Sequence, residues 1–162
     1  MREFNLLGDY PKLEKPRYVG SNLRTIEHRI IASYREKDFF DGHRNYGYGG
    51  FKYDGRWQKI ADKICKEYKL NDQSFFLQIG CEKGFLLKDI KSKFPNMNVE
   101  GLETSKYALA NSMKEVKKNI KYTESYLKLD YEDNKFDFII ALGVVYTQGI
   151  SDAIKLLKEI QR

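Results

Sequence analysis

The sequence predicts an α/β fold in which a mainly parallel β-sheet lies between helices. Three observations predict it: a short apolar run at residues 75–79, a glycine turn that ends this run, and apolar residues at helical spacing after the turn. The pattern of strand and then helix recurs downstream, and strands that alternate with helices pair in parallel. A length of 162 residues suits one domain with a buried core.

Composition excludes several classes of protein. A hydrophobic fraction of 41% with 14% aromatic residues is too high for a disordered chain, and no apolar run approaches the roughly 18 residues of a membrane span. The N-terminus lacks the apolar stretch of a signal peptide, so we expect a cytoplasmic protein. The two cysteines show no spacing typical of a metal site, and Cys65 falls on the apolar face of a predicted helix. The net charge of +6 permits nucleic acid as a partner, but lysines spread along predicted helices do not favour it.

Residues 1–37 are predicted to form an N-terminal arm and helix that precede the main domain at residues 38–162. The arm holds Pro11 and Pro16 and shows little periodicity. From about residue 22 to residue 36, apolar residues recur near helical spacing, which predicts a short amphipathic helix packed on the core.

Residues 38–57 alternate five glycines with aromatic and cationic residues. Each glycine inside a helix costs about 1 kcal/mol, so the segment is predicted to be a structured loop. Two interpretations stay open: a lid or substrate wall that stacks a ligand on its aromatic side chains, or a surface loop that these side chains hold in place. The aromatic residues are Tyr46, Tyr48, Phe51, Tyr53 and Trp57.

The chain then continues with alternating elements. Strands are predicted at 75–79, 98–103, 120–124 and 136–142, and helices at about 57–68, 85–93 and 105–117 and after residue 150. The nearly continuous apolar run at 136–142 predicts a strand that is buried on both faces. The expected helix caps are Asp54, then Thr104 or Ser105, and Ser151. The expected inward residues of the last helix are Ile154, Leu157 and Ile160.

The turn after the first strand has the composition of a ligand-binding loop. Gly80 and Gly84 stand where the backbone needs a positive φ or where a ligand approaches it. Glu103 closes the next apolar run nineteen residues after Gly84, near the interval of roughly 20 residues at which an acidic side chain meets ribose hydroxyls. Glu82 and Phe85 occupy the second and third glycine positions of the dinucleotide pattern G-x-G-x-x-G, which disfavours NAD.

This turn resembles the first motif of the class I S-adenosylmethionine-dependent methyltransferases, which runs apolar-acid-apolar-G-x-G-x-G. The resemblance implies a Rossmann-like three-layer αβα sandwich and S-adenosylmethionine as the cofactor. Gln78 stands where the family has an acid near the methionine amino group, and Glu82 stands where it has glycine or a small residue. Gln78 can still accept a hydrogen bond but lacks the charge. Glu82 either substitutes for that charge or obstructs the loop.

The resemblance covers about residues 38–162, and full-length members of the family continue into three further strands. It therefore implies a sheet that is truncated after the fourth strand, with an open apolar edge along residues 136–142. Three explanations stay open: another chain covers the edge in a homo- or hetero-oligomer, the arm at residues 1–37 folds over it, or the sequence is a piece of a longer protein. We favour pairing with another chain or a natural minimal form.

The resemblance also implies a cofactor site and a reaction. The residues expected at the cofactor are Gln78, Gly80, Cys81, Glu82, Gly84, Leu102, Glu103, Thr104, Glu124, Ser125 and Leu142. The expected function is methyl transfer to an unidentified small-molecule acceptor, for which alignment of the reactants supplies most of the acceleration. If the acceptor needs deprotonation, the candidates are His43, Tyr46 and Tyr146. The alternatives are a non-catalytic binding or regulatory module that pairs with another chain, and an RNA-associated protein that stacks bases on the loop.

Overall fold

The computed structural model describes residues 4–11, 20, 21 and 23–162 of the chain. Pro16 of the predicted arm and the expected helix start near Asn22 lie outside the described residues. The described helices are α1 (Ile26–Ser33), α2 (Lys37–Asp41), α3 (Gln58–Glu67), α4 (Phe85–Lys93), α5 (Lys106–Ala110) and α6 (Ile150–Gln161). The described strands are β1 (Phe75–Ile79), β2 (Asn98–Glu103), β3 (Ile120–Tyr122) and β4 (Phe138–Ile140). Short 3₁₀ helices span Lys117–Asn119 and Val145–Thr147.

The described strands form one parallel sheet in the order β3-β2-β1-β4. Gln78 near the end of β1 lies between Gly101 of β2 and Ile140 of β4. The strand order reverses between β1 and β4, because the chain runs outward to β3 and then returns to the other side of β1. In open parallel sheets, ligands bind in the crevice outside the carboxyl ends of the strands at such a reversal.

Apolar residues on both faces of the sheet form two core clusters. Phe76 of β1 packs with residues of α3 and α4, among them Ile60. Successive strand residues point to opposite faces, so Leu77 and Ile79 pack instead with Leu156 of α6 and its neighbours. Helices on both faces of a parallel sheet give three layers. The predicted Rossmann-like α/β fold is confirmed.

The N-terminal part of the chain departs from the prediction in two ways. α1 begins after its cap Thr25 and buries none of its eight residues, so the expectation that it packs on the core is wrong. Ile26 and Ile30, which were expected to face inward, are exposed. α2 occupies the start of the segment that was predicted to be a loop, because residues 37–41 contain no glycine. Residues 42–57 do form a loop without regular secondary structure, and we name them the glycine-aromatic loop.

The helix caps are only partly as predicted. Asp54 does not cap α3: the N-cap is Trp57, and Asp54 binds an arginine two residues farther on. Ser105 caps α5 as predicted, but α5 ends at residue 110 rather than near residue 117. Ser151 lies inside α6, whose N-cap is Gly149.

α6 buries a different face from the predicted one. Leu156 is fully buried, whereas Ile154 and Leu157 are 50% and 46% exposed. Ile160 is partly buried and packs against the second cluster, as expected. The helix is thus rotated relative to the predicted orientation, and an apolar stripe of its surface faces outward.

β3 and β4 are three residues long, shorter than predicted. In β4 only Ile140 is buried and its two neighbours are half-buried, so the prediction of burial on both faces is wrong. The described part of the arm contacts α3, where Lys63 Nζ lies 3.2 Å from the Asp9 carboxylate. In the part of the chain that the structure describes, no helix combines the length and the apolar character needed to cross a membrane. The boundary between an arm at 1–37 and a domain at 38–162 stays a prediction.

Candidate functional site

The glycine turn between β1 and α4 adopts an uncommon backbone conformation. Gly80, Glu82 and Gly84 have φ values of +69°, +54° and +76°. Residues with a Cβ rarely adopt this region, so the positive φ predicted for the two glycines is confirmed. The turn is attached to the end of β2, because Gly80 N and Cys81 N donate to Leu102 O at 2.9 Å and 3.1 Å.

Glu82 adopts this positive φ, and its carboxylate binds residues that precede α3 in the chain. Its Oε1 accepts hydrogen bonds from Tyr48 Oη at 2.7 Å and from Arg35 Nη2 at 3.1 Å. Burial raises the pKa of the Glu82 carboxyl, although the hydrogen bond from Tyr48 and the charge of Arg35 oppose the shift. Burial and the adjacent Glu82 carboxylate raise the pKa of the Tyr48 hydroxyl. Tyr48 therefore remains a hydrogen-bond donor to Glu82.

A second polar cluster holds the glycine-aromatic loop against the turn. The Asp41 carboxylate accepts from Lys83 Nζ at 2.6 Å, from Tyr107 Oη at 2.7 Å and from Phe51 N at 2.9 Å. Burial opposes ionisation of Asp41, but these hydrogen bonds outweigh it and lower its pKa. The ring of Phe51 stacks on Phe85, with 4.6 Å between the ring centroids. The loop is thus fixed to the first turn of α4.

The loop, α1 and the carboxyl ends of β1 and β4 line a cavity of about 880 Å³ that is open to solvent. This volume lies within the range of about 300–1,000 Å³ typical of small-molecule sites. Gln78 is 6% exposed and lines the cavity, and its Oε1 is buried with no hydrogen-bond partner among the described residues. Buried acceptors are nearly always paired in folded proteins, so this atom calls for a donor that the described residues do not supply.

The structure brings six of the predicted site residues together in the cavity lining. They are Tyr46, Gln78, Gly80, Glu82, Leu142 and Tyr146. Tyr46 is half-buried, with its ring 5.4 Å from the His28 ring, whereas Tyr146 is 83% exposed. His43 is exposed and does not line the cavity; its Nδ1 accepts from Asn45 N at 3.3 Å.

Two residues of the glycine turn face the core instead. The Cys81 side chain is buried in the first core cluster, and its Sγ lies in the space that a Cβ on Gly101 would need. Burial raises the pKa of the Cys81 thiol well above its ordinary value. A Cβ on Gly84 would lie 2.8 Å from Ile120 Cδ1, so this glycine allows close packing of α4 as well as the turn. Cys65 is buried in the same cluster, as predicted.

Glu103 is 1% exposed and binds backbone groups with both carboxylate oxygens. Oε1 accepts from Thr104 N and Ser105 N, each at 2.9 Å, and Oε2 accepts from Glu82 N at 2.6 Å. A carboxylate offers about four lone-pair positions, and these three hydrogen bonds occupy three of them. Glu103 therefore joins the glycine turn to the start of α5, and it does not line the cavity.

The segment after β3 places Tyr126 beside the glycine turn, and the sequence did not indicate this residue. Tyr126 Oη lies 3.2 Å from Thr104 N and 3.8 Å from the position of a Cβ on Gly80. Burial raises the pKa of Tyr126. Of the predicted residues here, Glu124 is exposed, and Ser125 Oγ accepts a hydrogen bond within its own turn. Leu102 is buried in the second core cluster. Among the described residues, no group of three or more histidine, cysteine or acidic side chains could hold a metal ion.

A protein-family model described as a methyltransferase domain matches residues 77–162, more than half of the chain. The chain belongs to this family. The resemblance of the glycine turn to methyltransferases is confirmed. A search of curated proteins finds no significant match.

Solved structures agree with the family on the fold. A putative S-adenosylmethionine-dependent methyltransferase from Methanococcus maripaludis is 20% identical with a TM-score of 0.54, and the match covers 65% of this chain and 49% of that one. CalS10, an amino pentose methyltransferase from Micromonospora echinaspora solved with bound cofactor, is 20% identical with a TM-score of 0.53, covering 64% and 44%. A methyltransferase from Aquifex aeolicus is 22% identical with a TM-score of 0.51, covering 63% and 56%. The matched region is thus about half the length of these structures.

Proposed function

We propose that this chain binds S-adenosylmethionine in the cavity and transfers its methyl group to a small-molecule acceptor. The observation that carries the proposal is the buried, unpartnered Oε1 of Gln78 in the cavity lining. Leaving a buried acceptor unpaired costs about 1–3 kcal/mol, and the amino group of the cofactor would supply the missing donor. Glu82 lines the same cavity and would add the negative charge that glutamine lacks.

Other residues of the chain would shape the site around these two. Gly80 gives the turn its positive φ at the end of β1, and Glu103, which is buried outside the cavity lining, would hold the turn in place through Glu82 N. Thr104, Glu124 and Ser125 do not line the cavity, so a contact between them and the adenine end stays a prediction from the family resemblance. When bound, S-adenosylmethionine supplies a methyl group on a sulfonium, whose S–C bond breaks with its electron pair as the acceptor atom bonds the carbon and gives up a proton. The protein's task is then chiefly to align the acceptor.

The cavity also limits the choice of a base for the acceptor proton. Tyr46 is the candidate that is both half-buried and in the cavity lining. Tyr146 stands exposed at the side near β4, where it and Leu142 would border the acceptor. His43 lies outside the lining and is the weakest of the three.

A non-catalytic binding module is the second candidate, and two observations favour it. The Glu82 carboxylate is already bound to Arg35 and Tyr48, and the Val144 side chain occupies the space beside Gly80. If these contacts persist, the chain closes its own cofactor site. Such a module would fold normally without binding the cofactor.

Calorimetric titration with S-adenosylhomocysteine and S-adenosylmethionine distinguishes the two candidates. We expect binding by the wild type, and a loss of about ten-fold or more in affinity for Gln78→Ala, because a hydrogen bond to a charged group contributes about 1.5–3 kcal/mol. Gln73→Ala is the matched control, since Gln73 is exposed ahead of β1 and outside the cavity. A folded wild-type chain that binds neither compound would overturn the methyltransferase proposal and support the module.

We also propose that the acceptor is small, that the protein is cytoplasmic, and that a second chain covers the edge of β4. The size of the cavity supports the first. Sedimentation analysis of the purified chain would test the last: a stable dimer supports pairing between copies, and a monomer at all concentrations argues against it.

A further inference from the structure

The cavity lining carries many positively charged side chains, and none of them belongs to the glycine turn. Among the described residues the lining contains one acidic side chain, Glu82. Its cationic side chains are Arg24, Arg29, Arg35, Arg44, Lys52 and Arg56. They come from α1, the residues next to it and the glycine-aromatic loop, and none of them comes from a strand. We name Arg24, Arg29 and Arg44 the arginine rim.

The acidic groups of the chain neutralise only part of this charge. Arg35 pairs with Glu82, and Arg56 pairs with Asp54. Arg44 donates to the backbone carbonyl of Gly47, which leaves its charge uncompensated. Arg24 and Arg29 have no ion pair with any described residue. The rim therefore adds positive charge to a cavity whose own acid is already paired.

Aromatic rings line the same cavity as these cations. Tyr46 meets His28 edge to face at 5.4 Å, and Tyr10 meets Trp57 with 5.2 Å between the ring centroids. All four rings line the cavity. Aromatic walls favour a planar ligand, and a guanidinium group binds carboxylate or phosphate with paired hydrogen bonds.

We propose that the methyl acceptor is a small planar molecule with a carboxylate or phosphate group, and that this group binds at the arginine rim. The assignment rests on the proposed methyltransferase function and adds the substrate class. Like charges that share one cavity repel each other, and an anion between them removes that cost. With the anion at the rim, the uncharged part of the acceptor would occupy the rest of the cavity, whose lining includes Gln78 and Glu82.

Binding of small probes tests the assignment directly. The probes are 4-hydroxybenzoate, phenyl phosphate and the neutral 4-hydroxybenzamide, titrated at low ionic strength in the presence of S-adenosylhomocysteine. We expect at least one acid to bind about ten-fold tighter than the amide. The stronger of the two acids identifies carboxylate or phosphate as the group that the rim prefers.

Substitutions then test whether the arginine rim causes the preference for an acid over the neutral amide. In the double variant Arg29→Gln, Arg44→Gln, the acid should lose its advantage over the amide to within about two-fold. The double variant Lys118→Gln, Lys155→Gln removes the same charge from exposed positions outside the cavity and should keep the advantage. Binding of S-adenosylhomocysteine and thermal unfolding, measured on every variant, show whether the site and the fold remain intact.

The outcomes separate this inference from the proposed function. If S-adenosylhomocysteine binds but neither acid is preferred, or the rim variant keeps the preference, the acceptor class is wrong and the methyltransferase proposal stands. If the acids bind and S-adenosylhomocysteine does not, the anion is not a methyl acceptor and both proposals fall. Tighter and strongly salt-dependent binding of a single-stranded RNA oligonucleotide than of either acid would overturn the small-molecule acceptor in favour of nucleic acid.

Discussion

Glu82 holds a backbone conformation that the methyltransferase motif assigns to glycine. A residue with a Cβ at φ +54° costs about 1–2 kcal/mol relative to an ordinary conformation. The hydrogen bonds from Tyr48 and Arg35 and the bond from Glu82 N to Glu103 offset that cost. The same residue thus holds the N-terminal segments against the glycine turn and places a carboxylate in the cavity.

The raised pKa of Glu82 predicts a pH-dependent contribution to stability. Burial raises the pKa above its ordinary value of 4.5, so the folded chain holds a proton at pH values where the unfolded chain has lost it. This contribution is fully present below pH 4.5 and is lost as the pH rises through the folded-state pKa. The stability of wild type relative to Glu82→Gln should therefore be greater near pH 4 than near pH 7, roughly the span over which a carboxyl titrates.

Urea denaturation of both proteins at the two pH values measures this difference. Other carboxyl groups, such as the one of Asp41, are present in both chains and cancel in the comparison. A difference that grows toward neutral pH would show that Arg35 stabilises the charged carboxylate more than burial penalises it.

At the scale of elements, α4 depends on the glycine that precedes it. Gly84 combines a φ of +76° with close contacts to Ile120 and Val116. Gly84→Ala should cost about 2–4 kcal/mol, because the positive φ and the crowding each contribute about 1–2 kcal/mol or more. Gly50→Ala is the control: Gly50 has a φ of +106° but no atom within 4 Å of the added Cβ, so only the conformational cost applies.

Thermal and urea unfolding of both variants provide the free energies of unfolding. Equal losses for the two alanine variants would mean that Ile120 and Val116 move aside, and that the packing of α4 against β3 is looser than the contacts indicate.

The start of α6 makes a second prediction at the scale of elements. Gly149 is an N-cap with extended backbone and no side-chain cap bond, and nothing lies within 4 Å of an added Cβ. Gly149→Ser should stabilise the chain by about 0.5 kcal/mol, since a hydroxyl can accept from an unpaired N–H of the first turn. Ser151→Ala should be neutral or slightly stabilising, because this serine lies inside the helix and alanine has the higher helix propensity.

Unfolding midpoints of these two variants identify the residue that caps α6. A loss of about 1 kcal/mol for Ser151→Ala would place the cap at Ser151, as the sequence first indicated, and would contradict the observed start of the helix.

At the scale of the whole molecule, the two core clusters need the helices on both faces of the sheet. Leu156 of α6 is fully buried in the second cluster, whereas Leu157 is 46% exposed. Leu156→Ala should therefore cost about 2–5 kcal/mol. Leu157→Ala should cost less than about 1 kcal/mol, because surface positions contribute little.

The comparison uses the same residue type at adjacent positions of one helix, so helix propensity cancels. Denaturant titration with a common m value measures both costs. A larger loss at Leu157 than at Leu156 would mean that α6 packs through the originally predicted face.

The core of the α/β domain could be predicted because its signals are local. β1, α4 and β2 begin and end where predicted, since apolar runs, glycine breaks and helical spacing all lie within a few residues of each boundary. Less regular signals led to errors. The cap of α6 and the face that it buries were missed because Ile154, Leu156 and Leu157 are equally apolar, and only the position of the sheet decides which of them is covered.

In the candidate site, too, local features could be predicted from the sequence and contacts between distant segments could not. Gln78, Gly80 and Glu82 could be named as candidates from the sequence because they lie within one short motif at the end of β1, and the structure places all three in the cavity lining. Arg35 and Tyr48 were not identified as partners of Glu82, since they lie 47 and 34 residues away along the chain. No local pattern specifies contacts between segments that are so distant in sequence.

The sequence alone thus determined the order of strands and helices, the parallel sheet, the glycine turn and the family, because each depends on residue patterns within short windows. The tertiary structure decided which side chains line the cavity, that the Oε1 of Gln78 is unpartnered, and that arginines from α1 and the glycine-aromatic loop line the same cavity as the strand ends. These features arise only when distant segments pack together, and packing depends on the shape of all the surfaces that meet.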